Sequence, residues 1–350
     1  MAFTDLHFAD LGITSDVVAE LNKIMFGAIT SPKELGAIFN VQKGLTQGDK
    51  VFLIKDLGLQ GVNKNDCSPT WDEANFTTTK TWNMGAFGIN IQSCWADIPS
   101  IFSRYLKNGD GADAMRNPFL DEIVRPRLET AVEKMYTRLG WFGSATTQAS
   151  KLVTAGNAKY FLTNNWEGIF PYAINYVSSH EDQLVTISAN SQATWSAQKA
   201  AMLASGVATG IMDNVIMSAP TALRQATDQV MYVTLAMADA LEYDIRNNNK
   251  GSELQWEAIQ NGVKVAKYNG IDIVAVPAFD EVLANFNEAD RNPYRILYTT
   301  KANVQLGMHG DDEFAKVRVG YDEYRELVLL SALDHFGALI AQDDLFVLAI

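Results

Sequence analysis

Residues 270–277 read GIDIVAVP, residues 294–310 read YRILYTTKANVQLGMHG, and residues 314–350 close on the uninterrupted apolar run LFVLAI at 345–350. Chain ends fray unless a sheet or a packed helix holds them, so six consecutive apolar residues there predict a strand set inside a sheet. The Gly-led run 270–277 reads as a buried strand. Between them, 315–321 alternates as a strand, 322–336 reads as a helix, and 338–341 with 345–350 read as a closing pair of strands.

Upstream, residues 230–246 (VMYVTLAMADALEYDIR) read as a strand running into a helix. Thr234 suits the N-cap, Leu235, Ala238, Leu241 and Ile245 form one apolar stripe, and Arg246 sits where the helix dipole favours a cation. Helices are also expected over 193–203 and 207–217. A further helix opens at Asn117 and Pro118, a good cap followed by a residue with no amide to lose. Its stripe is Leu128, Val132, Met135 and Leu139; Pro126 predicts a kink or restart, and Gly140 its end.

Residues 51–95 change to strand patterning. Phe87, Ile89 and Ile91 alternate with Gly88, Asn90 and Gln92, a period of two that buries one face. Before them 76–82 (FTTTKTW) is rich in β-branched and aromatic residues, with Gly85 as a bend. Paired with 51–54 across the polar stretch 58–75, this predicts a long two-stranded projection. Such a ribbon is marginal in water and needs a partner surface. Residues 1–48 mix a short helical pattern (16–26) with Gly27, Pro32, Gly36, Gly44 and Gly48, and read as an arm without a core of its own.

Composition narrows the function. The chain has 350 residues, 47% hydrophobic and 20% charged, which suits one large or two interleaved folded domains and not disorder. With 28 basic and 41 acidic residues the net charge is −13, and no stretch gathers Lys and Arg into a stripe for a phosphate backbone. Cys67 and Cys94 make no disulfide framework and read as free thiols. The N-terminal sequence has no signal-peptide pattern, and the apolar stretch 200–222 is broken by Asp213 and Pro220, so buried helices are expected and no membrane span.

His7, His180, His309 and His335 are not spaced as metal ligands, and nucleophile-elbow, phosphate-loop and dinucleotide signatures are missing from the sequence. Residues 107–114 (KNGDGADA) have the look of a calcium loop, but Ala112 and Phe119 occupy ligand positions, so a polar connector fits better. Asp311, Asp312 and Glu313, and Asp343 with Asp344, read as solvated turns. No cofactor and no catalytic or metal residue is expected. Trp71, Phe76 and Trp82 in the projection are the candidate contact residues, as anchors on a neighbouring copy or as packing on the chain's own core.

The order of elements from residue 48 to 350 resembles the tailed-bacteriophage major capsid proteins of the Hong Kong 97-like fold. The resemblance implies an α+β subunit with an N-terminal arm (1–48), an extended β-hairpin loop (49–96), a peripheral domain including the spine helix (97–150 and 309–350) and an axial domain (151–308). It implies a structural protein, not an enzyme, self-assembling through hexamers and pentamers into the icosahedral head that encloses a phage double-stranded DNA genome. The acidic surface would hold DNA without adhering to it, by repulsion over a screening length of about 8 Å. The resemblance places the chain in the virion after synthesis in the host bacterial cytoplasm, and leaves room for a separate scaffolding protein, a portal and head decoration proteins. Some relatives join the loop to a neighbour through a Lys and an Asn; Lys64, Asn65 and Lys80 are of suitable type, with no pattern that names a partner. An encapsulin-like bacterial compartment shell is the alternative on the same fold, and an α+β enzyme of unrecognised type is the third reading.

Overall fold

The structure is a computed structural model that describes residues 35–54, 77–94, 125–145, 160–163, 165–188, 192–204, 206–247, 257–258, 264–286, 292–309, 316–322 and 327–350. The described chain begins with helix α1 (Leu35–Ile38) and strands β1 (Asn40–Lys43), β2 (Lys50–Ile54), β3 (Thr77–Thr81) and β4 (Gly85–Cys94). Helices α2 (Arg125–Phe142) and α3 (Ile169–Val177) follow, then β5 (Leu184–Val185) and helices α4 (Trp195–Met202), α5 (Val207–Met217) and α6 (Thr221–Gln225). The next unit is β6 (Gln229–Thr234), α7 (Leu235–Asn247), β7 (Glu257–Ala258), β8 (Lys264–Tyr268), β9 (Ile271–Val276) and α8 (Pro277–Phe286). Strands β10 (Ile296–Thr300), β11 (Val304–Met308), β12 (Lys316–Asp322), β13 (Leu327–Ile340) and β14 (Phe346–Ala349) complete it.

Two sheets organise these elements. The larger has seven strands in the order β5-β14-β10-β6-β9-β8-β7, with β6 parallel to β9 and β14 parallel to β5. Its inner strands β6, β9, β10 and β14 are mostly apolar because both faces are covered, whereas β8 and β7 toward the edge carry Lys264, Lys267 and Glu257. Tyr232, Val274, Val276, Leu297, Phe346 and Leu348 point into one core, with α2, α3 and α8; Met231, Val233, Ile273, Ala275, Ile296 and Val347 point into the other, with α4, α5 and α7. The run at 345–350 is therefore an inner strand, β14, between β5 and β10, as its composition predicts.

The smaller sheet has five strands, β1-β11-β13-β12, with β4 also paired to β13. Its residues Val304, Leu306, Phe336, Ala338 and Ile340 join the first core, which is thus closed between the two sheets. Trp141 is central there, with ring centroids 4.7 Å from Phe279, 5.2 Å from Phe170 and Tyr232, and 5.3 Å from Phe39.

Several expectations are met. Thr234 caps α7, its Oγ1 accepting from Met237 N–H at 3.2 Å while its hydroxyl donates to Pro293 O at 2.8 Å. Arg246 in the last turn pairs with Glu242. The kink or restart expected at Pro126 stays an expectation, because helix α2 is described only from Arg125 on and the residues before it lie outside the described ones.

Three expectations are corrected. The helix expected over 322–336 is not seen among the described residues of that stretch: Asp322 ends β12 and Leu327 begins the 14-residue β13. The segment LVLLSAL carries apolar residues at both helical and strand spacings, and pairing with β12 on one side and β4 on the other decides it. Nor does Gly140 end its helix, which runs on to Phe142. A Cβ there would lie 2.9 Å from Phe39 Cζ and 3.3 Å from Leu306 Cδ1, so the glycine marks close packing on the small sheet and not a stop. The two closing strands also part company, since β13 belongs to the five-stranded sheet and β14 to the seven-stranded one. The helical pattern at 16–26, the start at Asn117 and Pro118, and residues 55–76 lie outside the described residues.

Candidate functional site at the base of the ribbon

Among the described residues, strands β2 and β3 pair only with each other, from Lys50 opposite Thr81 to Ile54 opposite Thr77. The return strand does not stay in this ribbon: after Trp82–Met84 the chain enters β4 and joins the five-stranded sheet along β13. At its base the ladder continues by one more pair, Gly48 N–H donating to Trp82 O at 3.0 Å and Trp82 N–H to Asp49 O at 2.7 Å. Asp49 Oδ2 accepts from Thr46 N–H at 2.7 Å, and Gln47 Oε1 accepts from Met84 N–H at 2.5 Å. Gly48 turns with φ of 92°, a conformation that side chains disfavour.

The base is seated on glycines. Gly307 and Gly337 pair across β11 and β13, and a Cβ on the first would lie 2.7 Å from Trp82 Cζ3, on the second 2.3 Å from Asn83 O. Trp82 is only 2% exposed. Of the candidate contact residues it is the one described, and it fills the chain's own core, one of the two placements considered for it. Trp71 and Phe76 lie outside the described residues, as do Lys64, Asn65 and the segment 107–114.

Lys80 is the residue whose surroundings the sequence could not supply. Along β3 it faces the body of the subunit, while Thr79 and Thr81 on either side are exposed. Its ammonium donates to Ile340 O at 2.7 Å, Asp343 Oδ1 at 2.5 Å and Tyr172 OH at 2.9 Å, which uses all three of its hydrogens. Tyr172 in turn donates to Asp343 Oδ1 at 2.8 Å, and Lys80 Nζ lies 4.8 Å from the Tyr172 ring centre. Burial pulls the Lys80 ammonium below its ordinary value, against the opposing pull of Asp343 and Asp344. Burial, reinforced by Asp343, raises the Tyr172 phenol. Asp343 was expected in a solvated turn; its side chain is 26% exposed and bound on two sides.

Elsewhere the polar groups offer less. His180 is exposed and stacks on Tyr176, with centroids 4.1 Å apart and planes within 2°. His309 and His335, 26 residues apart in sequence, meet through a backbone bond from His309 N–H to His335 O. Among the described residues no group of three or more His, Cys, Asp or Glu is placed to hold a metal ion, and no single helix is long and apolar enough to cross a membrane. A surface cavity of about 510 Å³ is lined by Arg224, Gln229, Asp272 and Tyr298 among others. Two of its polar groups satisfy each other, Tyr298 OH donating to Gln229 Oε1 at 2.5 Å, and Asp272 is paired with Lys301 at 2.7 Å.

No protein-family model matches the chain, and no curated protein does. Solved structures do. The procapsid of satellite phage P4, including its size determination (Sid) protein, matches over 96% of this chain and 98% of that one, at 9% identity and a TM-score of 0.51. A structure from Mycobacterium phage Ogopogo matches over 90% of both chains, at 9% identity and a TM-score of 0.52. Identity this low speaks for the fold alone. The chain thus carries the α+β Hong Kong 97-like fold, the fold of tailed-phage major capsid proteins.

Proposed function

We propose that the chain is a major capsid protein whose copies assemble into an icosahedral head enclosing a phage double-stranded DNA genome. The observation that carries this reading is the ribbon: β2 and β3 form a sheet of two strands joined to neither larger sheet. Ribbons of this kind need a surface to lie on, and a neighbouring copy would provide one. The fold shared with the satellite phage P4 procapsid structure supports the same conclusion.

In this reading residues 1–48 are an arm, 49–96 an extended loop, 97–150 with 309–350 a peripheral domain, and 151–308 an axial domain. Hexamers and pentamers build the shell, with a separate scaffolding protein, a portal and decoration proteins as partners, and Trp71 and Phe76 as contacts of the loop on its neighbour. The protein is structural and not an enzyme. A net charge of −13 suits a wall that encloses DNA without binding it.

Expression followed by sedimentation and negative-stain microscopy tests the proposal. Capsomers or shells far above 38.6 kDa are expected. A strictly monomeric species at high concentration across a range of salt overturns it, and shells that copurify with a packaged enzyme would move the reading to a protein compartment.

A further inference from the structure

Among the described residues the ribbon meets the rest of the subunit at two places of different kind. One is the seat, where Trp82–Met84 lies on the paired glycines of the small sheet. The other is the side chain of Lys80, two residue pairs further out than Trp82, opposite Val51. The seat holds the point of departure. A second, off-axis contact fixes the direction, because a two-stranded ribbon anchored only at its base can still tilt.

What Lys80 grips matters as much as the grip. Ile340 is the last residue of β13, in the five-stranded sheet, and Asp343 begins the 3-10 turn Asp343–Leu345 that leads into β14 of the seven-stranded sheet. The ammonium therefore closes on the crossover between the two sheets. Tyr172, from α3 packed between them, holds the same carboxylate oxygen.

The geometry points to a latch: Lys80, Tyr172 and Asp343 tie the tilt of the ribbon to the crossover, so that a displacement of one sheet against the other is passed to the ribbon. The latch is a property of the single subunit and does not depend on the assembly proposed above. Coupling of this kind is reciprocal, so loosening the latch frees both of its ends.

Hydrogen–deuterium exchange on the full chain tests it, with Lys80→Met, Asp343→Asn and the double variant. Each single change is expected to speed exchange of the β2 and β3 amides about tenfold, the loss of one charge-assisted bond. The Asp343–Leu345 turn should loosen with them, the double variant should go no further than the greater single, and β6 and β9 should keep their wild-type rates. Wild-type rates in the ribbon, a rise in the ribbon without one in the turn, or additive effects of the two changes would each overturn the latch. If Lys80→Met loosens β6 and β9 as well, Asp343→Asn, isosteric and partly exposed, decides alone: ribbon rates unchanged in that variant overturn the proposal, and ribbon and turn rates raised together support it.

Discussion

Gly337 lies directly opposite Gly307 in the β11–β13 ladder, and the segment that connects the ribbon to β4 crosses over both. Neither position has φ in the left-handed region. Space, and not backbone conformation, is what requires glycine at each.

Gly337→Ala brings a methyl to 2.3 Å from the Asn83 carbonyl oxygen, a backbone atom that cannot swing aside. Overpacking of this kind should destabilise the subunit by about 3 kcal/mol, read from a denaturant melt. Gly307→Ala, which meets the Trp82 ring at 2.7 Å and the tip of Leu45 at 2.9 Å, should cost less because side chains can give.

Trp141→Ala removes the ring on which Phe39, Phe170, Tyr232 and Phe279 converge. The residue is 0% exposed, so a cavity remains between the sheets. A loss of about 4 kcal/mol is expected in equilibrium unfolding.

Asp280 supplies a pH dependence of definite sign. Its carboxylate accepts from Leu235 N–H at 2.5 Å and Ala236 N–H at 3.0 Å, at the start of α7. Burial nevertheless lifts it from 3.8 to about 6, the two amides and Lys199 opposing and Asp239 adding to the rise. The folded state then holds the proton more tightly than the unfolded one, so the group's contribution is full below pH 3.8 and falls as pH rises to about 6. Unfolding free energies of the wild type and Asp280→Asn from denaturant melts, compared between pH 4 and pH 7, should show the wild type losing ground to the variant by on the order of 2 kcal/mol.

Lys134 offers a contrast with Lys80. It pairs with Glu281 at 3.0 Å, but the two side chains are 57% and 53% exposed. Lys134→Met should change stability by less than about 0.5 kcal/mol, with little response to added salt.

Legibility followed the range of the interactions. The helix Leu235–Asn247 is readable because its cap, stripe and last-turn cation all lie within thirteen residues, and β9 and β14 because burial on both faces leaves a run of apolar residues, broken in β9 by Asp272 alone. The stretch 322–336 was misread because its apolar spacing fits either element, and its partners β4 and β12 are set by the tertiary fold. Gly140 misled for a related reason, since the atom that excludes a methyl belongs to Phe39, a hundred residues away. Lys80 and Asp343 stand 263 residues apart, and nothing local to either announces the other.

The place of β14 has a vectorial consequence. It is the last described strand to be synthesised, yet it lies between β10 and β5. While translation is under way β10 therefore presents an unpaired, apolar edge of the sort that recruits foreign strands. Only when residues 346–349 emerge is that edge covered, so unfinished chains are the ones most prone to stick to one another.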